Sequence, residues 1–362
     1  MNSRPKQVSA EAVIDLAAYE RNLALLTSRI APARLMAVIK SDAYGHGLVP
    51  IARAAVAAGV TELGVLELGP ALALRTAGIG EAVRLFVWLF SPDDDLRAAL
   101  DGGVELGIST VAELDAIIAA SGAKPARIHL KIDTGLHRNG ADPEDWPTLV
   151  ASAVAAEQAG SVVLAGVWTH ISEASDEEDS ASIARFTEAI AIAEGLGASF
   201  SVRHLAASAA GFGRDDARFD MVRFGAFCYG IAPGSGIGPG ELGLTPVMTL
   251  RAPIVSVDDD PDAAGHSIAT IPIGYGDGIL SECAGRVEVT VGGRRWPVIE
   301  VGVDALRLRV DRSAVSLGDT ARLFGPGDDG EATLQEWADA LGTIGEEIVV
   351  RISAAIPRIH IG

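Results

Sequence analysis

The sequence predicts an α/β protein in which an N-terminal (β/α)8 barrel precedes a C-terminal, mostly-β domain. Eight short apolar runs alternate with helical segments between residues 34 and 226, as in a closed parallel barrel. Residues 232–240 are then rich in glycine and proline, and beyond them strand follows strand. We therefore expect a barrel over residues 11–235 and a β-rich domain over residues 241–362, with residues 1–10 packing against the latter.

An open, doubly wound sheet is the competing architecture for alternating strands and helices. Such a sheet usually has fewer strands, and no Gly-x-Gly-x-x-Gly follows the first strand here. One helix of the predicted barrel begins with a capping box, in which Thr110 precedes Glu113 by three residues. Another helix places Ile183, Phe186 and Ile190 on one face. The predicted barrel strands are 34–40, 61–68, 83–90, 104–109, 127–133, 162–170, 201–206 and 221–226.

The second domain shows strand patterns with one helix among them. A hairpin is predicted where residues 287–291 and 294–299 are joined by Gly292 and Gly293. Two further strands are expected at 249–257 and 268–273. The helix begins after Thr333, which forms a capping box with Glu336, and ends at Gly342.

The composition disfavours several classes of function. A formal net charge of −19 argues against nucleic acid and anionic membrane surfaces as partners. The apolar runs are shorter than the ~20 residues that span a bilayer, and no apolar signal segment follows the N-terminus. The two cysteines, Cys228 and Cys283, form no metal-binding pair and are expected as free thiols. We expect a cytoplasmic protein without a metal site.

Lys40 ends the apolar run Leu-Met-Ala-Val-Ile and opens a polar, glycine-rich segment. A lysine at the end of a buried strand is costly to keep charged, so its amine tends toward the neutral form that a Schiff-base nucleophile requires. On position alone, a structural role for such a lysine is the commoner one.

Polar side chains recur at the ends of the predicted barrel strands, where barrel enzymes place their active sites. Each residue alone has an ordinary structural explanation, but six at one rim indicate a site: Lys40, Arg138, His170, His204, Ser208 and Arg223. Loops after the last two strands of such barrels commonly bind phosphate. Ser208 and the turn containing Gly225 and Ala226 are placed to do so.

Several segments resemble the motifs of the alanine racemase family. Residues 40–47, Lys-Ser-Asp-Ala-Tyr-Gly-His-Gly, resemble the family's pyridoxal-phosphate lysine motif, which is long and specific. The resemblance extends from about residue 11 to 359 in the family's domain order. The other matching segments are 131–140 (Lys-Ile-Asp-Thr-Gly-Leu-His-Arg-Asn-Gly), 168–170 (Trp-Thr-His), 222–225 (Val-Arg-Phe-Gly), 229–230 (Tyr-Gly) and 271–278 (Ile-Pro-Ile-Gly-Tyr-Gly-Asp-Gly).

The resemblance implies an amino-acid racemase with two bases. Lys40 would bind pyridoxal 5′-phosphate as a Schiff base and then act as one base. Tyr275 would be the other base, reaching in from the partner subunit of a head-to-tail homodimer. Racemisation removes a proton from one face of Cα and returns one to the other face, so two groups on opposite sides are needed.

The resemblance also assigns the residues around the cofactor and the substrate. Arg223 would contact the pyridine nitrogen, with His204 behind it, and His170 would hydrogen-bond Tyr275. Tyr44, Ser208, Gly225 and Ala226 would hold the phosphate. Arg138 would approach the substrate carboxylate, supported by Lys131, which is carbamylated in many members. Val303 and Asp304 stand where the family has a Met-Asp pair at the substrate pocket.

The chain departs from the family pattern at specific positions. Ala207 replaces an asparagine before the phosphate-binding serine, and Glu346 replaces a tyrosine that bonds the phosphate. Val303 replaces the pocket methionine, and residues 258–265 replace a Gly-x-x-Val-x-Tyr-Gly segment. The best single hypothesis is an active alanine racemase that supplies D-alanine for cell-wall synthesis. The alternatives are a racemase of a larger amino acid, a lapsed pyridoxal-phosphate-binding homologue, a pyridoxal-phosphate carrier and a decarboxylase of the same cofactor fold.

Overall fold

The computed structural model describes residues 10–91, 93–234 and 236–362. These residues divide into two compact units. The first unit contains residues 23–43 and 48–225, and the second contains residues 10–22, 44–47 and 226–362. The expectation for residues 1–10 falls mainly on residues 1–9, which lie outside the described part of the chain.

Strands alternate with helices through the first part of the chain, and strands predominate in the rest. In chain order the strands are β1 (Glu11–Asp15), β2 (Arg34–Val38), β3 (Glu62–Val65), β4 (Arg84–Val87), β5 (Val104–Ile108), β6 (Ala126–Lys131), β7 (Val162–Trp168), β8 (Val202–His204), β9 (Met221–Phe224), β10 (Met248–Pro253), β11 (Ser256–Asp259), β12 (His266–Ile271), β13 (Glu288–Val291), β14 (Arg294–Val301), β15 (Leu306–Asp311), β16 (Thr320–Phe324) and β17 (Arg358–Ile361). The α-helices are α1 (Leu16–Ile30), α2 (Lys40–Gly45), α3 (Leu48–Ala57), α4 (Leu68–Thr76), α5 (Leu96–Asp101), α6 (Val111–Ala120), α7 (Trp146–Gln158), α8 (Asp176–Gly195), α9 (Ser208–Gly213), α10 (Leu334–Leu341) and α11 (Gly345–Arg351). Short 3-10 helices cover Asp215–Ala217, Ala226–Tyr229, Pro239–Leu242, Tyr275–Asp277 and Ser281–Cys283.

The first unit is built on a closed barrel of the parallel strands β2 to β9, arranged in chain order. Strand β9 closes onto β2, where Arg34 lies opposite Met221. All eight predicted strands are present, and the predicted barrel is confirmed. Each strand ends one to three residues before its predicted end, because the apolar run continues past the last ladder hydrogen bond. The predicted site residues therefore lie at the strand ends or just beyond them.

The backbone becomes left-handed at Ser41, shortly after the end of β2. Ser41, Asp42, Ala43 and Tyr44 have φ angles of 53, 53, 55 and 52°. Left-handed backbone costs residues other than glycine roughly 1–2 kcal/mol each. The backbone N–H of Leu48 donates to Oδ1 of Asp42 at 2.7 Å and holds the turn in place. Helix α2 is thus a strained, left-handed turn that begins at Lys40.

Large side chains fill the interior of the barrel. Met36, Phe86, Trp168, Val202 and Met221 form one buried cluster. The ring of Phe86 meets the ring of Trp168 edge-on, with centroids 5.3 Å apart. These contacts need a small residue on β5, because a Cβ on Gly107 would lie 3.0 Å from Phe86 and 3.1 Å from Trp168.

The second unit contains a nine-stranded sheet in the order β11-β12-β15-β14-β13-β16-β10-β1-β17. Its neighbouring strands are antiparallel at most positions, and β1 pairs with β17 in parallel. The predicted mostly-β domain is therefore confirmed, as is the hairpin of β13 and β14, where Val291 lies opposite Arg294. The predicted helix is α10, capped by Thr333 and ended by Gly342 in a left-handed conformation.

The first strand departs from the domain division expected from the sequence. Residues from 11 onward are expected in the barrel domain, but β1 lies between β10 and β17, with Val13 opposite Thr249 and Ile359. Residues 226–234 also belong to the second unit rather than to the barrel. These pairings join segments far apart in the sequence, which no local pattern encodes.

The predicted strand at 249–257 is in fact two strands, β10 and β11. Pro253 is the last residue of β10, and proline has no N–H to continue a ladder. Strands β15, β16 and β17 were not predicted. β15 has the alternating burial that could have revealed it, since Leu306, Leu308 and Val310 are buried and the residues between them are more exposed.

Candidate active site

Lys40 lies just beyond β2 and is the first residue of α2, directly before the left-handed residues. Its charge acts on His170, which lies after β7. The pKa of His170 is lowered well below its usual value, first by burial and then by the positive charges of Arg223, Arg138, Lys131 and Lys40. The predicted strand-end residues of the barrel thus form a cluster in which several cations surround an uncharged imidazole.

Arg223 on β9 is the buried centre of this cluster. Its Nη2 lies 2.9 Å from the carbonyl oxygens of Thr169 and Leu205 and from Nδ1 of His170. Its Nη1 lies 3.1 Å from Nδ1 of His204. Burial lowers the pKa of Arg223 to about 9, with a further lowering from Arg138 and an opposing effect of Glu173. The guanidinium remains charged at neutral pH, and within the described residues its Nε–H has no hydrogen-bond partner.

His204 on β8 is completely buried, and its pKa is lowered well below the usual value, first by burial and then by the positive charges of Arg223 and Arg34. Its ring stacks on Trp168 at 5.6 Å with an interplanar angle of 6°. Because the guanidinium of Arg223 can only donate, Nδ1 of His204 accepts and the single ring proton is on Nε2. The imidazole therefore accepts a hydrogen bond from Arg223 and holds the guanidinium in place.

Lys131 ends β6 and is buried. Burial and the charges of Arg223 and Arg138 lower the pKa of its amine to about 7, against smaller opposing effects of Asp133 and Glu113. Its Nζ hydrogen-bonds Oδ1 of Asn139. It also lies 4.4 Å from the centroid of the Trp168 ring. Near neutral pH a large share of this amine is uncharged.

Two hydrogen-bonding groups expected at the phosphate meet at the end of β9. The N–H of Gly225 donates to Oγ of Ser208 at 3.2 Å. Ser208 begins α9, and the preceding Ala207 provides no side-chain cap. Oε1 of Glu173 accepts from the N–H of Ala210 in the same helix at 2.8 Å. Burial raises the pKa of Glu173.

Tyr44 and Ala226, the other two predicted phosphate residues, lie in the second unit. Both are buried, and the ring of Tyr44 lies 5.0 Å from that of Tyr229. The pKa of Tyr44 is raised first by burial and then by the negative charge of Glu346. Glu346 is thus close enough to act on Tyr44.

Tyr275, Val303 and Asp304 lie on adjoining loops of the second unit. The N–H of Tyr275 donates to the carbonyl of Gly302 at 2.9 Å, and that of Gly276 donates to the carbonyl of Val303 at 2.7 Å. Tyr275 is 51% exposed and Val303 57%. Asp304 is also exposed. The backbone of these loops is fixed while their side chains remain exposed on this unit.

Sequence reasoning missed two buried polar residues next to this cluster, His129 on β6 and Glu105 on β5. His129 lies two residues before Lys131 on the same strand, so both side chains point to the same face. This two-residue spacing from Lys131 is the sequence feature from which His129 could have been predicted. The sequence around Glu105 gives no comparable signal.

Family models match both parts of the chain. Residues 14–233 match the alanine racemase N-terminal domain, and residues 247–360 match the alanine racemase C-terminal domain. The chain belongs to the alanine racemase family. The resemblance noted in its sequence motifs is therefore confirmed, and with it membership of a family of isomerases.

Curated and solved members of the family match the chain along nearly its whole length. The alanine racemase of Thermobifida fusca is 42% identical over 371 residues, covering 98% of each chain. That of Beutenbergia cavernae is 41% identical over 373 residues with the same coverage. The solved alanine racemase of Streptomyces coelicolor A3(2) superposes with a TM-score of 0.94 at 38% identity, covering 98% of each chain. The enzyme from D-cycloserine-producing Streptomyces lavendulae gives a TM-score of 0.93 at 37% identity, covering 99% of this chain and 98% of that one.

Proposed function

We propose that this protein is an alanine racemase that interconverts L- and D-alanine with pyridoxal 5′-phosphate. The cluster of positively charged residues around His170, which includes Lys40, in a chain of this family, is the observation that carries the proposal. We further propose that it acts in the cytoplasm and supplies D-alanine for cell-wall synthesis. Two buried cysteines that form no disulfide support that location. No helix of the described residues is long and apolar enough to cross a membrane.

The residues of the barrel unit fit pyridoxal phosphate. Arg223 has an Nε–H without a partner among the described residues, and an unprotonated pyridine nitrogen is a suitable acceptor for it. Ser208 and Gly225 supply a hydroxyl and an N–H for the phosphate, and Tyr44 and Ala226 would complete its contacts. When bound, the cofactor supplies an electron sink that makes the Cα proton of the amino acid removable.

Lys40 and Tyr275 are the proposed bases. We assign Lys40 to one face of Cα and Tyr275 of the partner subunit to the other. The phenol of Tyr275 is exposed on a loop whose backbone is held by Gly302, which suits a group that serves the site of a second chain. Phenylalanine or leucine in place of Tyr275 would retain an apolar side chain and remove the hydroxyl group that carries the proton.

Arg138 is assigned to the substrate carboxylate, with Lys131 as its support. Arg138 is exposed and lies close enough to lower the pKa of Lys131, His170 and Arg223. Guanidinium groups bind carboxylates through two parallel hydrogen bonds. A carbamate on Lys131 would neutralise the local excess of positive charge and fix the orientation of Arg138.

The lowered pKa of Lys131 predicts carbamylation. Only an uncharged amine reacts with CO₂, and a pKa of about 7 makes this amine available at pH 7–8. In ¹³C-bicarbonate, we expect a carbamate carbon signal in the ¹³C NMR spectrum of the protein that is absent from Lys131→Ala. Lys124→Ala, which removes an exposed lysine, is the control and should retain the signal. A signal that persists in Lys131→Ala would contradict the prediction.

Glu346 is expected to weaken cofactor binding. Its carboxylate acts on Tyr44, a proposed ligand of the dianionic phosphate, so its charge opposes that of the phosphate. We expect Glu346→Gln to tighten binding of pyridoxal phosphate roughly tenfold, a change of about 1.4 kcal/mol, as measured by equilibrium dialysis. Glu347→Gln removes the neighbouring carboxylate, which is bound to Arg351 and Thr343 instead, and should leave the affinity unchanged.

The proposed function is tested directly with the purified protein. We expect a visible absorption band from the bound cofactor, loss of optical rotation from L-alanine, and uptake of deuterium at Cα in deuterated water. L-Serine and larger L-amino acids tested in parallel show whether Val303 has changed the substrate. A cofactor absorption band without deuterium uptake at Cα of any amino acid would show that the protein binds pyridoxal phosphate but is a catalytically lapsed homologue.

A further inference from the structure

A continuous line of hydrogen bonds crosses the barrel interior behind Arg223. Nη1 of Arg223 lies 3.1 Å from Nδ1 of His204, and Nε2 of His204 lies 2.9 Å from Nδ1 of His129. Nε2 of His129 lies 2.8 Å from Oε2 of Glu105. All four side chains are buried. The line connects residues of β9, β8, β6 and β5.

The two end groups fix the position of every proton along this line. A guanidinium only donates, so Nδ1 of His204 accepts and its proton is on Nε2. That N–H donates to Nδ1 of His129, which leaves the proton of the second ring on Nε2. The second N–H donates to the carboxylate of Glu105, which only accepts when ionised. The hydrogen bonds therefore all point from the cation to the anion.

Glu105 is held in its ionised form at the far end. Burial alone would raise its pKa, but hydrogen bonds from His129 and Arg127 and the positive charge of Arg127 outweigh burial and lower it well below its usual value. Nε of Arg127 donates to its Oε1 at 2.7 Å. Arg84 lies further away, with its Nε 4.0 Å from the same oxygen.

The two imidazoles are held in place by close packing. The ring centroid of Phe86 lies 4.7 Å from that of His129 and 5.4 Å from that of His204. A Cβ on Gly166 would lie 2.4 Å from Nδ1 of His129, so the ring fits only because residue 166 is glycine. This arrangement leaves the rings little freedom to flip and exchange donor for acceptor.

We propose that Glu105 and His129 are positioning residues that act through His204 on Arg223. They fix the tautomer of His204 and supply, through polarised hydrogen bonds, the counter-charge that keeps the guanidinium oriented as a donor. The guanidinium has no carboxylate among its four hydrogen-bond acceptors, so the hydrogen-bonded part of its compensation comes along this line, in addition to the through-space attraction of Glu173. Only the last step of this proposal, the contact of Arg223 with the cofactor, rests on the proposed function.

Glu105→Gln tests the line, because glutamine keeps the shape but loses the charge and can donate as well as accept. Glu62→Gln is the matched control. Glu62 is likewise buried, lies on β3 of the same barrel, and is bound by Arg34 at 2.7 Å and by Thr61. Histidine ¹⁵N NMR on the protein without pyridoxal phosphate should show both His204 and His129 protonated on Nε2 alone. We expect Glu105→Gln to change this pattern and Glu62→Gln to preserve it.

Kinetics of the loaded enzyme provide the second measurement. Because Arg223 would contact the cofactor and not the substrate, we expect Glu105→Gln to lower kcat roughly tenfold with KM nearly unchanged, and to shift the absorption band of the cofactor. Glu62→Gln should leave kcat and the band as in the parent protein. Gly166→Ala, which displaces His129 without altering any charge, should resemble Glu105→Gln.

Either measurement can overturn the proposal. An Nδ1-protonated His204 or His129 in the unmodified protein would refute the hydrogen-bond direction without any variant. Identical kinetics and band position in Glu105→Gln and Glu62→Gln would refute the positioning role. If the protein binds no pyridoxal phosphate, the proposed function fails while the NMR measurement still decides the direction of the line.

Discussion

Replacing Lys40 with alanine is expected to lower alanine racemisation by at least ~10⁴-fold. The change removes both the amine that binds the cofactor covalently and one of the two proposed bases, and a general base alone contributes 10²–10⁴-fold. The visible band of the bound cofactor should be lost or moved to the position of free pyridoxal phosphate. The rate of optical-rotation change and the absorption spectrum measure both effects.

Two controls separate this effect from a loss of folding. Lys124→Ala removes a lysine of the same unit whose side chain is exposed and paired only loosely with Glu81, so it should retain full activity. Added methylamine should restore part of the activity of Lys40→Ala, because a small amine can occupy the space of the missing one. A Lys40→Ala protein with undiminished racemisation would refute the role of Lys40.

The barrel and much of its rim could be predicted because both depend on local patterns. Eight apolar runs specify strands that are buried on both faces, and polar residues that interrupt them mark the strand ends. Lys40, His170 and Arg223 were found in this way. The ends of the strands were placed too late, because an apolar run does not show where its ladder of hydrogen bonds ends.

The features that were missed depend on pairings between distant segments. β1 joins β10 and β17 through tertiary contacts, so its sequence alone could not separate it from the barrel. Glu105 resembles an ordinary polar residue of a half-exposed strand until His129 and Arg127 are placed beside it. The left-handed turn after Lys40 could not be predicted from the sequence either, since Ser41 and Ala43 are of residue types that rarely adopt positive φ.

Replacing Tyr275 with phenylalanine is expected to lower racemisation by roughly 10³-fold, within the range for loss of a general base. The phenol oxygen is removed, while the loop fixed by the hydrogen bonds to Gly302 and Val303 remains. Lys40 still serves its own face of Cα. Deuterium from the solvent should therefore exchange into one enantiomer of alanine with its configuration retained, and only slowly into the other. Equal exchange into both enantiomers would show that Tyr275 is not the second base.

Mixing the two inactive variants tests whether Tyr275 acts in the site of the other subunit. If each site takes Lys40 from one chain and Tyr275 of the partner subunit, a dimer of one Lys40→Ala chain and one Tyr275→Phe chain has one site with both bases intact. Random reassociation makes about half of the dimers mixed, so about a quarter of the parent activity should return. If both bases came from the same chain, every site in the mixed dimer would lack one base. The mixture would then remain as inactive as its components, and the shared-site proposal would be refuted.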